Sequence, residues 1–175
     1  MRRRLVHIWP DADDWPILFA SLAGVPLSLR LWILRRRGHR IADDVRICGG
    51  TTVHGAFLTV GPGAFINRGC TIQADARVDI GADAHLGPGV RIITTSHEVG
   101  PSRRRAGQRY SLPVTIGSGA WVGAGCQILP GVTIGPGAIV AAGSIVTEDI
   151  SGDVLAGGVP ARVIRALDAA ADTPQ

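Results

Sequence analysis

Aliphatic residues recur at every sixth position through much of this chain, and that period restricts the fold more than any other feature of the sequence. The clearest run comprises Ile116, Val122, Ile128, Ile134, Val140 and Val146. The same phase appears earlier in three shorter runs, which are Ile41, Ile47 and Val53, then Val60, Ile66 and Ile72, then Ile80, Leu86 and Ile92. A helix has a period of about 3.6 residues and a strand alternates strictly, so neither alone explains a spacing of six.

A triangular solenoid explains the spacing, because each hexapeptide then supplies one short strand with an inward aliphatic side chain and one corner. A small or β-branched residue four positions after the aliphatic lets each corner close, as at Ala120, Cys126, Val132, Ala138 and Ser144. Three hexapeptides complete a coil, and stacked coils form parallel sheets on three faces. Burial of each Ile or Val contributes about 1.5–3 kcal/mol, so the ladders can drive folding. The repeat itself does not fix the hand of the coil.

The period slips between Val53 and Val60 and between Ile72 and Ile80, and it breaks at length from Glu98 to Val114. The long break is expected to be a loop ejected from one corner, and long loops on a rigid scaffold usually have a function. We therefore divide the chain into an N-terminal helical lead-in (1–40), a β-helix (41–150) with the ejected loop over 98–114, and a C-terminal cap and tail (151–175).

Composition supports one globular domain and a mild attraction for anions. The chain has 175 residues, 46% of them hydrophobic and 18% charged, and its 24 glycines cluster among Val and Ile, which argues against a helical bundle and against disorder. All 18 basic residues are Arg, and the net charge is +4. No nucleic-acid partner is expected. The three cysteines lack Cys-x-x-Cys spacing, which fits a reduced, cytoplasmic compartment, and Cys70 and Cys126 fall at small, buried corner positions.

The sequence of the N-terminal segment is compatible with two locations, which are the end of the first coil and a membrane surface. Residues 15–37 are expected to form one or two helices broken at Pro26 that cap the first coil. Pro16, Pro26 and Arg30 argue against a membrane-spanning helix. Three tryptophans and three arginines suit an interfacial helix, so attachment to the inner membrane face through 15–37 is the alternative; they are Trp9, Trp15, Trp32 and Arg35 to Arg37.

Three motifs, in this order, resemble the hexapeptide acetyltransferases of the maltose, galactoside and nodulation-factor O-acetyltransferase type. The first is Phe-Ile-Asn-Arg-Gly-Cys-Thr-Ile at 65–72, followed by Val-Asp-Ile-Gly at 78–81. The second is Ile-Thr-Thr-Ser-His at 93–97, with Tyr-Ser-Leu-Pro-Val-Thr-Ile-Gly at 110–117 closing the loop. The third runs from 121–132 through 142–147 to Gly-Val-Pro-Ala-Arg-Val-Ile-Arg at 158–165. The first 40 residues do not match the helical acceptor-side domain of the sugar enzymes. They look more like the short lead-in of exopolysaccharide-biosynthesis acetyltransferases.

The resemblance implies a left-handed parallel β-helix and a homotrimer that binds acetyl-CoA between neighbouring subunits, with no metal required. It implies that His97 is the general base, and that Asn67 and Asp75 hold the acceptor. It also implies that a third group binds the cofactor, with Trp121 at the acetyl and pantetheine end, Gly123, Ala124, Ala142 and Thr147 along the pantetheine arm, and Arg162 and Arg165 near the nucleotide phosphates. The expected reaction is direct transfer, in a ternary complex, of acetyl from acetyl-CoA to a hydroxyl of a sugar or exopolysaccharide precursor.

The chemistry requires a base because an alcohol is a poor nucleophile at neutral pH. A neutral imidazole suits this task and typically contributes about 10²–10⁴-fold in rate. The second ring nitrogen of His97 needs an acceptor to orient it, and Glu98, Gln108 and a backbone carbonyl are all candidates. The oxyanion needs a donor, for which a backbone N–H near Ser96 or Gly123 is the candidate.

The other histidines and the loop arginines have simpler interpretations beside the functional ones. His7 and His39 are expected at the surface, and His54 and His85 at solvated coil corners. Residues 103–105 (Arg-Arg-Arg) are either a solvated loop face or a contact for a CoA phosphate or an anionic acceptor.

Two departures from the family pattern keep other functions open. Glu148 stands where the family often has Lys near the CoA phosphates, and Gln108 stands where the loop often has a carboxylate. The alternatives are a non-catalytic hexapeptide scaffold and an antibiotic-modifying acetyltransferase. A γ-type carbonic anhydrase needs three zinc-binding histidines, two of them five residues apart, and this sequence has no such pair.

Overall fold

The computed structural model describes Ser21 and residues 24–168, and within them the hexapeptides wind into a parallel β-helix with three faces. Face A consists of β1 (Arg40–Ile41), β4 (Leu58–Val60), β7 (Val78–Ile80), β12 (Val114–Ile116) and β15 (Thr133–Ile134). Face B consists of β2 (Arg46–Ile47), β5 (Phe65–Ile66), β8 (His85–Leu86), β13 (Trp121–Val122), β16 (Ile139–Val140), β18 (Val154–Gly158) and β19 (Ala161–Ala166). Face C consists of β3 (Thr52–Gly55), β6 (Thr71–Ala74), β9 (Arg91–Ile93), β14 (Gln127–Ile128) and β17 (Ile145–Val146).

The predicted aliphatic ladders form the core. On face C, for example, Ile72 pairs with Val53 and Ile92, and Ile128 continues the same ladder. Every aliphatic of the four six-residue runs is buried, and so are the small residues at the predicted corner positions. The fold class, an all-β parallel β-helix, is therefore confirmed.

Successive coils approach so closely that some corners accept only glycine. A Cβ on Gly123 would lie 2.5 Å from the backbone nitrogen of Ala142 in the next coil. Gly125, in the same corner, has a φ of +68°, which is costly for residues with a Cβ. The pairing of an aliphatic residue with a following glycine thus reflects both the inward ladder and the coil spacing.

All three interruptions of the period lie on one edge of the prism. The slips follow β3 and β6, and the long break follows β9, so each lies where the chain passes from face C to face A. We call this the C–A edge. The edge at which the chain passes from face B to face C is called the B–C edge. The long break, predicted as a loop, forms an antiparallel hairpin of β10 (Thr95–Val99) and β11 (Ala106–Ser111).

The first coil is capped by α1 (Leu27–Arg36), which begins directly after Pro26. Leu31 and Leu34 pack into the core cluster, and the buried Arg30 guanidinium donates to the carbonyl of Ile47 at 2.6 Å. Trp9 and Trp15, on which part of the membrane prediction rests, lie outside the described residues. Among the described helices, none has the length and apolar character needed to span a membrane.

The surface position predicted for His39 is wrong. Its side chain is only 3% exposed, between α1 and β1, and neither ring nitrogen has a hydrogen-bond partner among the described residues. Burial, and then the nearby Arg37 charge, lower the pKa of His39 below its ordinary 6.5. The error arose because a histidine between charged residues resembles a surface residue, whereas the turn after α1 directs this side chain inward.

The end of the solenoid is covered by the last two strands. Strand β18 pairs in parallel with β16 and so adds a further strand to face B. Strand β19 folds back antiparallel to β18, with Arg162 opposite Gly157 and Arg165 opposite Leu155. Face B is thereby extended by two strands beyond the last coil.

Candidate active site

His97 is held in the tautomer that a general base requires. It lies exposed on β10, and its Nδ1 is 3.1 Å from the carbonyl oxygen of Gly107 on the facing strand. A carbonyl can only accept, so Nδ1 carries the proton, and in the neutral ring Nε2 keeps a free lone pair. Of the three orienting groups considered from the sequence, the structure therefore selects a backbone carbonyl.

A shift in the hairpin register brings the Gly107 carbonyl to His97. His97 pairs with Arg109 and Val99 with Ala106, so β11 contains one extra residue between these pairs. A Cβ on Gly107 would lie 2.8 Å from the carbonyl oxygen of Glu98, so this position has no room for a larger residue. Gly107 was missed from the sequence, although a glycine inside a strand is a known signal of a bulge.

Asp75 lies beneath the same hairpin, at the C–A edge, in the segment added by the second slip. Its Oδ2 accepts from the Thr95 hydroxyl at 3.0 Å and from the Arg109 guanidinium at 3.1 Å. The other carboxylate oxygen has no protein partner among residues 24–168. Thr95, His97 and Arg109 lie on one side of the hairpin because side chains alternate along strands and cross-strand partners share a face. Asp75 is thus on the side of the hairpin that bears His97.

A second group of predicted residues lines a groove of about 490 Å³ at the B–C edge. The groove contains Asn67, Trp121, Gly123, Ala124 and Ala142, together with Gly87 and Pro88. These residues come from four successive coils, so the groove is about 14 Å long at the usual strand spacing. A groove of this length and volume accommodates a linear chain such as a pantetheine arm.

The polar groups of the groove are backbone amides and one side-chain amide. The N–H groups of Ala124 and Ala142 have no acceptor in the described part of the chain, whereas the N–H of Gly123 donates to the Val140 carbonyl at 2.8 Å. Gly123 is therefore not available as the oxyanion donor considered from the sequence. Asn67 accepts the Arg68 N–H through Oδ1 at 2.8 Å, which leaves its NH₂ group as a donor to the groove. The positive φ at this corner belongs to Gly69, at 71°, and not to Asn67.

The structure brings the predicted site residues into two groups on different edges of one chain. His97 and Asp75 lie at the C–A edge, and Asn67, Trp121, Gly123, Ala124 and Ala142 lie at the B–C edge. Trp121 is 55% exposed, so its indole is not covered within this chain. The two groups are separated by the width of face C and do not form one site within a single copy.

The remaining cofactor-binding candidates lie at the end of the solenoid. Thr147 is exposed just after β17, next to Glu148. The Glu148 carboxylate and the Arg162 guanidinium form an ion pair at 3.3 Å, so the departure at 148 directly contacts one of the predicted phosphate ligands. The Arg165 guanidinium donates to the carbonyl of Ala166 at 3.1 Å.

The cysteines do not supply a nucleophile to either group. Cys70 and Cys126 are fully buried, as predicted, and burial raises the pKa of both thiols. Within the described residues, no group of three or more His, Cys, Asp or Glu side chains lies close enough to hold a metal ion.

Comparison with known proteins places this architecture among acyl-transferring enzymes. The family model described as bacterial transferase hexapeptide (six repeats) matches residues 113–148. Galactoside O-acetyltransferase of Escherichia coli (strain K12) is 42% identical over 115 residues, which are 66% of this chain and 57% of that protein. Nodulation protein L of Rhizobium meliloti (strain 1021) is 44% identical over 110 residues, which are 63% of this chain and 60% of that protein. The chain thus spans less than two thirds of the length of these two relatives.

A solved structure resembles nearly the whole described chain. The hexapeptide-repeat-containing acetyltransferase of Vibrio cholerae O1 biovar eltor, solved in complex with acetyl-CoA, has a TM-score of 0.73 and 29% sequence identity. The alignment covers 88% of this chain and 84% of that chain.

Proposed function

We propose that the chain is an O-acetyltransferase that moves acetyl from acetyl-CoA to a hydroxyl of a sugar or exopolysaccharide precursor, because residues 113–148 match the bacterial transferase hexapeptide model and the aligned 115 residues are 42% identical to a galactoside O-acetyltransferase. The single observation that best supports this function is the hydrogen bond from His97 Nδ1 to the Gly107 carbonyl. It leaves Nε2 as an exposed acceptor on a rigid hairpin. The scaffold alternative gives no role to such an oriented imidazole.

The reaction proceeds in one ternary complex. As the acceptor oxygen attacks the thioester carbon, His97 Nε2 takes the hydroxyl proton, and the Gly107 carbonyl stabilises the imidazolium that forms. The tetrahedral intermediate then expels the sulfur of CoA. The proton passes from Nε2 to that sulfur, which gives the acetyl ester and free CoA thiol.

The two residue groups have separate roles in this scheme. Asp75 is fixed through Oδ2 and presents Oδ1 to a hydroxyl of the acceptor, while Asn67 presents its NH₂ group. Trp121 and the Ala124 and Ala142 amides bind the acetyl end and pantetheine arm along the B–C groove. Thr147, Arg162 and Arg165 complete the cofactor site at the end of the solenoid, and Gly123 contributes space rather than a hydrogen bond.

A homotrimer unites the two groups. If the C–A edge of one copy meets the B–C edge of its neighbour, His97 and Asp75 of the first face the groove of the second. This contact is heterologous, and three copies close it into a ring. The exposed indole of Trp121 supports the arrangement, because the neighbouring hairpin then covers it. The three cysteines are free thiols with no disulfide between them, which fits work in the cytoplasm.

The proposal is tested by assaying CoA thiol release with a panel of sugars for the wild type and His97→Ala. Loss of the base is expected to lower kcat by about 10²–10⁴-fold. His54→Ala, which removes another exposed histidine, is the matched control and retains most activity. Calorimetry with acetyl-CoA should give similar Kd values for all three proteins. Full activity of His97→Ala would remove His97 from the mechanism, and no acetyl-CoA binding by the wild type would favour the scaffold.

A further inference from the structure

The tip of the hairpin contains a basic cavity that the proposed transfer does not use. Its volume is about 450 Å³, and it is lined by Pro101, Arg103, Arg104, Gly107 and Gln108. Two guanidinium groups and one amide are the polar side chains of this lining, and no carboxylate belongs to it. The cavity therefore offers donors and positive charge only.

The turn that presents the two arginines is fixed by backbone contacts. The Arg104 N–H donates to the Pro101 carbonyl at 2.8 Å, and the Gly100 N–H donates to the Arg105 carbonyl at 2.8 Å. A Cβ on Gly100 would collide with the Arg104 carbonyl, so the close approach at this turn depends on glycine. Arg103 and Arg104 are thus held next to each other at the end of a defined turn.

These two guanidinium groups differ from the other arginines of the hairpin in being unpaired. Arg109 forms an ion pair with Asp75, and Arg105 donates to the Gly100 carbonyl at 3.3 Å. The guanidinium groups of Arg103 and Arg104 form no hydrogen bond or ion pair with any described residue, and Glu98, the carboxylate of the same hairpin, does not pair with them. Guanidinium groups favour planar oxyanions, which they bind through two parallel N–H···O bonds.

Gly107 joins this cavity to the catalytic base. The residue lines the cavity, and its carbonyl oxygen accepts a hydrogen bond from the protonated Nδ1 of His97 at 3.1 Å. An oxyanion held in this cavity therefore lies beside the residue whose carbonyl orients the base. A ligand anchored at such a point can direct a neighbouring hydroxyl to Nε2.

We propose that the Arg103–Arg104 cavity binds a carboxylate or phosphate of the acceptor, so that the acceptor is an acidic sugar or glycan. This inference rests on the proposed transferase function and specifies its substrate class. A phosphate of CoA has the same chemistry, and the experiment must separate the two sources. The net charge of +4 favours either anion to the same extent and does not discriminate.

The test compares matched neutral and acidic acceptors, namely methyl glucoside with methyl glucuronide and galactose with galacturonate, using the wild type and Arg103→Ala/Arg104→Ala. The double variant should lose about 10- to 100-fold in kcat/KM for the acidic member of each pair, because hydrogen bonds to charged groups are removed. Its kcat/KM for the neutral member should be unchanged. Arg40→Ala/Arg46→Ala, which removes two exposed arginines of the first coil, is the charge-matched control and should change neither.

The Kd of acetyl-CoA identifies the source of the anion. An unchanged Kd in Arg103→Ala/Arg104→Ala supports the acceptor, whereas a Kd weakened as much as kcat/KM assigns the cavity to a CoA phosphate and overturns the proposal. Equal losses for neutral and acidic acceptors, or no loss, also overturn it.

Direct binding of methyl glucuronide, measured by calorimetry without acetyl-CoA, separates this inference from the transferase proposal. Binding that requires Arg103 and Arg104, without acetyl transfer to any sugar, retains the anion site and refutes the transferase. Transfer to neutral sugars with no binding or use of the acidic members retains the transferase and refutes the anion site.

Discussion

A single backbone carbonyl decides which nitrogen of His97 is basic. The Gly107 carbonyl reaches Nδ1 only because β11 has an extra residue between the pairs His97–Arg109 and Val99–Ala106. A side-chain orienter would be replaceable by a similar side chain, whereas this one depends on backbone position. The proposed base therefore depends on glycine at 107 as well as on the imidazole itself.

Gly107→Ala is expected to lower kcat by about 10- to 100-fold, because its Cβ would collide with the Glu98 carbonyl and shift the orienting oxygen. The KM for acetyl-CoA should change little, since the groove lies on the other edge. Glu98→Gln serves as the control, because it removes a carboxylate beside His97 without moving the carbonyl. A kcat equal to wild type in Gly107→Ala, in a protein of unchanged Tm, would show that the carbonyl does not orient the base.

The buried His39 makes the free energy of unfolding depend on pH. Burial lowers the pKa of His39 in the folded protein below its ordinary 6.5, so below about pH 6.5 the unfolded chain binds more protons than the folded one. The free energy of unfolding should therefore be highest above pH 6.5 and fall as the pH drops toward the lowered pKa. Urea unfolding at about pH 7.5 and about pH 5 measures this loss.

His39→Leu isolates that contribution, since it removes the buried titrating group. The variant should lose less stability than the wild type over the same pH interval, while His54→Leu, which changes an exposed histidine, should behave as the wild type. An identical pH dependence in His39→Leu and the wild type would mean that carboxylates alone account for the acid sensitivity.

At the scale of the elements, the strand β19 brings Arg162 to the end of the solenoid, where its guanidinium pairs with the Glu148 carboxylate. The pair is exposed on both sides, with side-chain accessibilities of 57% and 69%, so it contributes little to stability. Its consequence is chemical, because a paired guanidinium attracts a phosphate less than a free one.

Glu148→Gln should tighten acetyl-CoA binding by about two- to fivefold, which corresponds to the energy of an exposed ion pair. Asp43→Asn provides the control, because it removes the carboxylate of the ion pair between Asp43 and Arg35 of α1. This variant should leave the Kd unchanged. The Kd values from calorimetry decide the matter, and weaker binding by Glu148→Gln would exclude Arg162 from the phosphate site.

The elements also differ in how far their sequence specifies them. The ladder strands were predictable because each buries an aliphatic residue in a repeating environment, and register in a solenoid follows from the period. The hairpin was not, because its register depends on a bulge at Gly107 and on contacts such as Arg109 with Asp75, which are distant in sequence. His39 was misplaced for the same reason, since its burial depends on how α1 meets the first coil.

At the scale of the whole molecule, the period slips mark the edge of the solenoid at which the hairpin lies. Each slip and the hairpin add residues at the C–A edge, so the insertions stack in successive coils and build one projecting edge. The sequence contained this signal, in the positions after Val53, Ile72 and Ile92. It did not contain the relation between the C–A edge and the groove at the B–C edge, which in the proposed trimer depends on how the copies pack.

The most direct test of a site shared between subunits mixes His97→Ala with Trp121→Ala, each expected to have low activity because one half of the proposed site is lost. The two variants are unfolded and refolded together, and acetyl transfer is assayed. If the active site is built from the C–A edge of one subunit and the B–C edge of the next, some interfaces in mixed trimers regain both intact halves. Random assembly at equal amounts should then restore about a quarter of wild-type activity, well above either variant alone. Activity no greater than the average of the two separate variants would contradict a catalytic site shared between subunits.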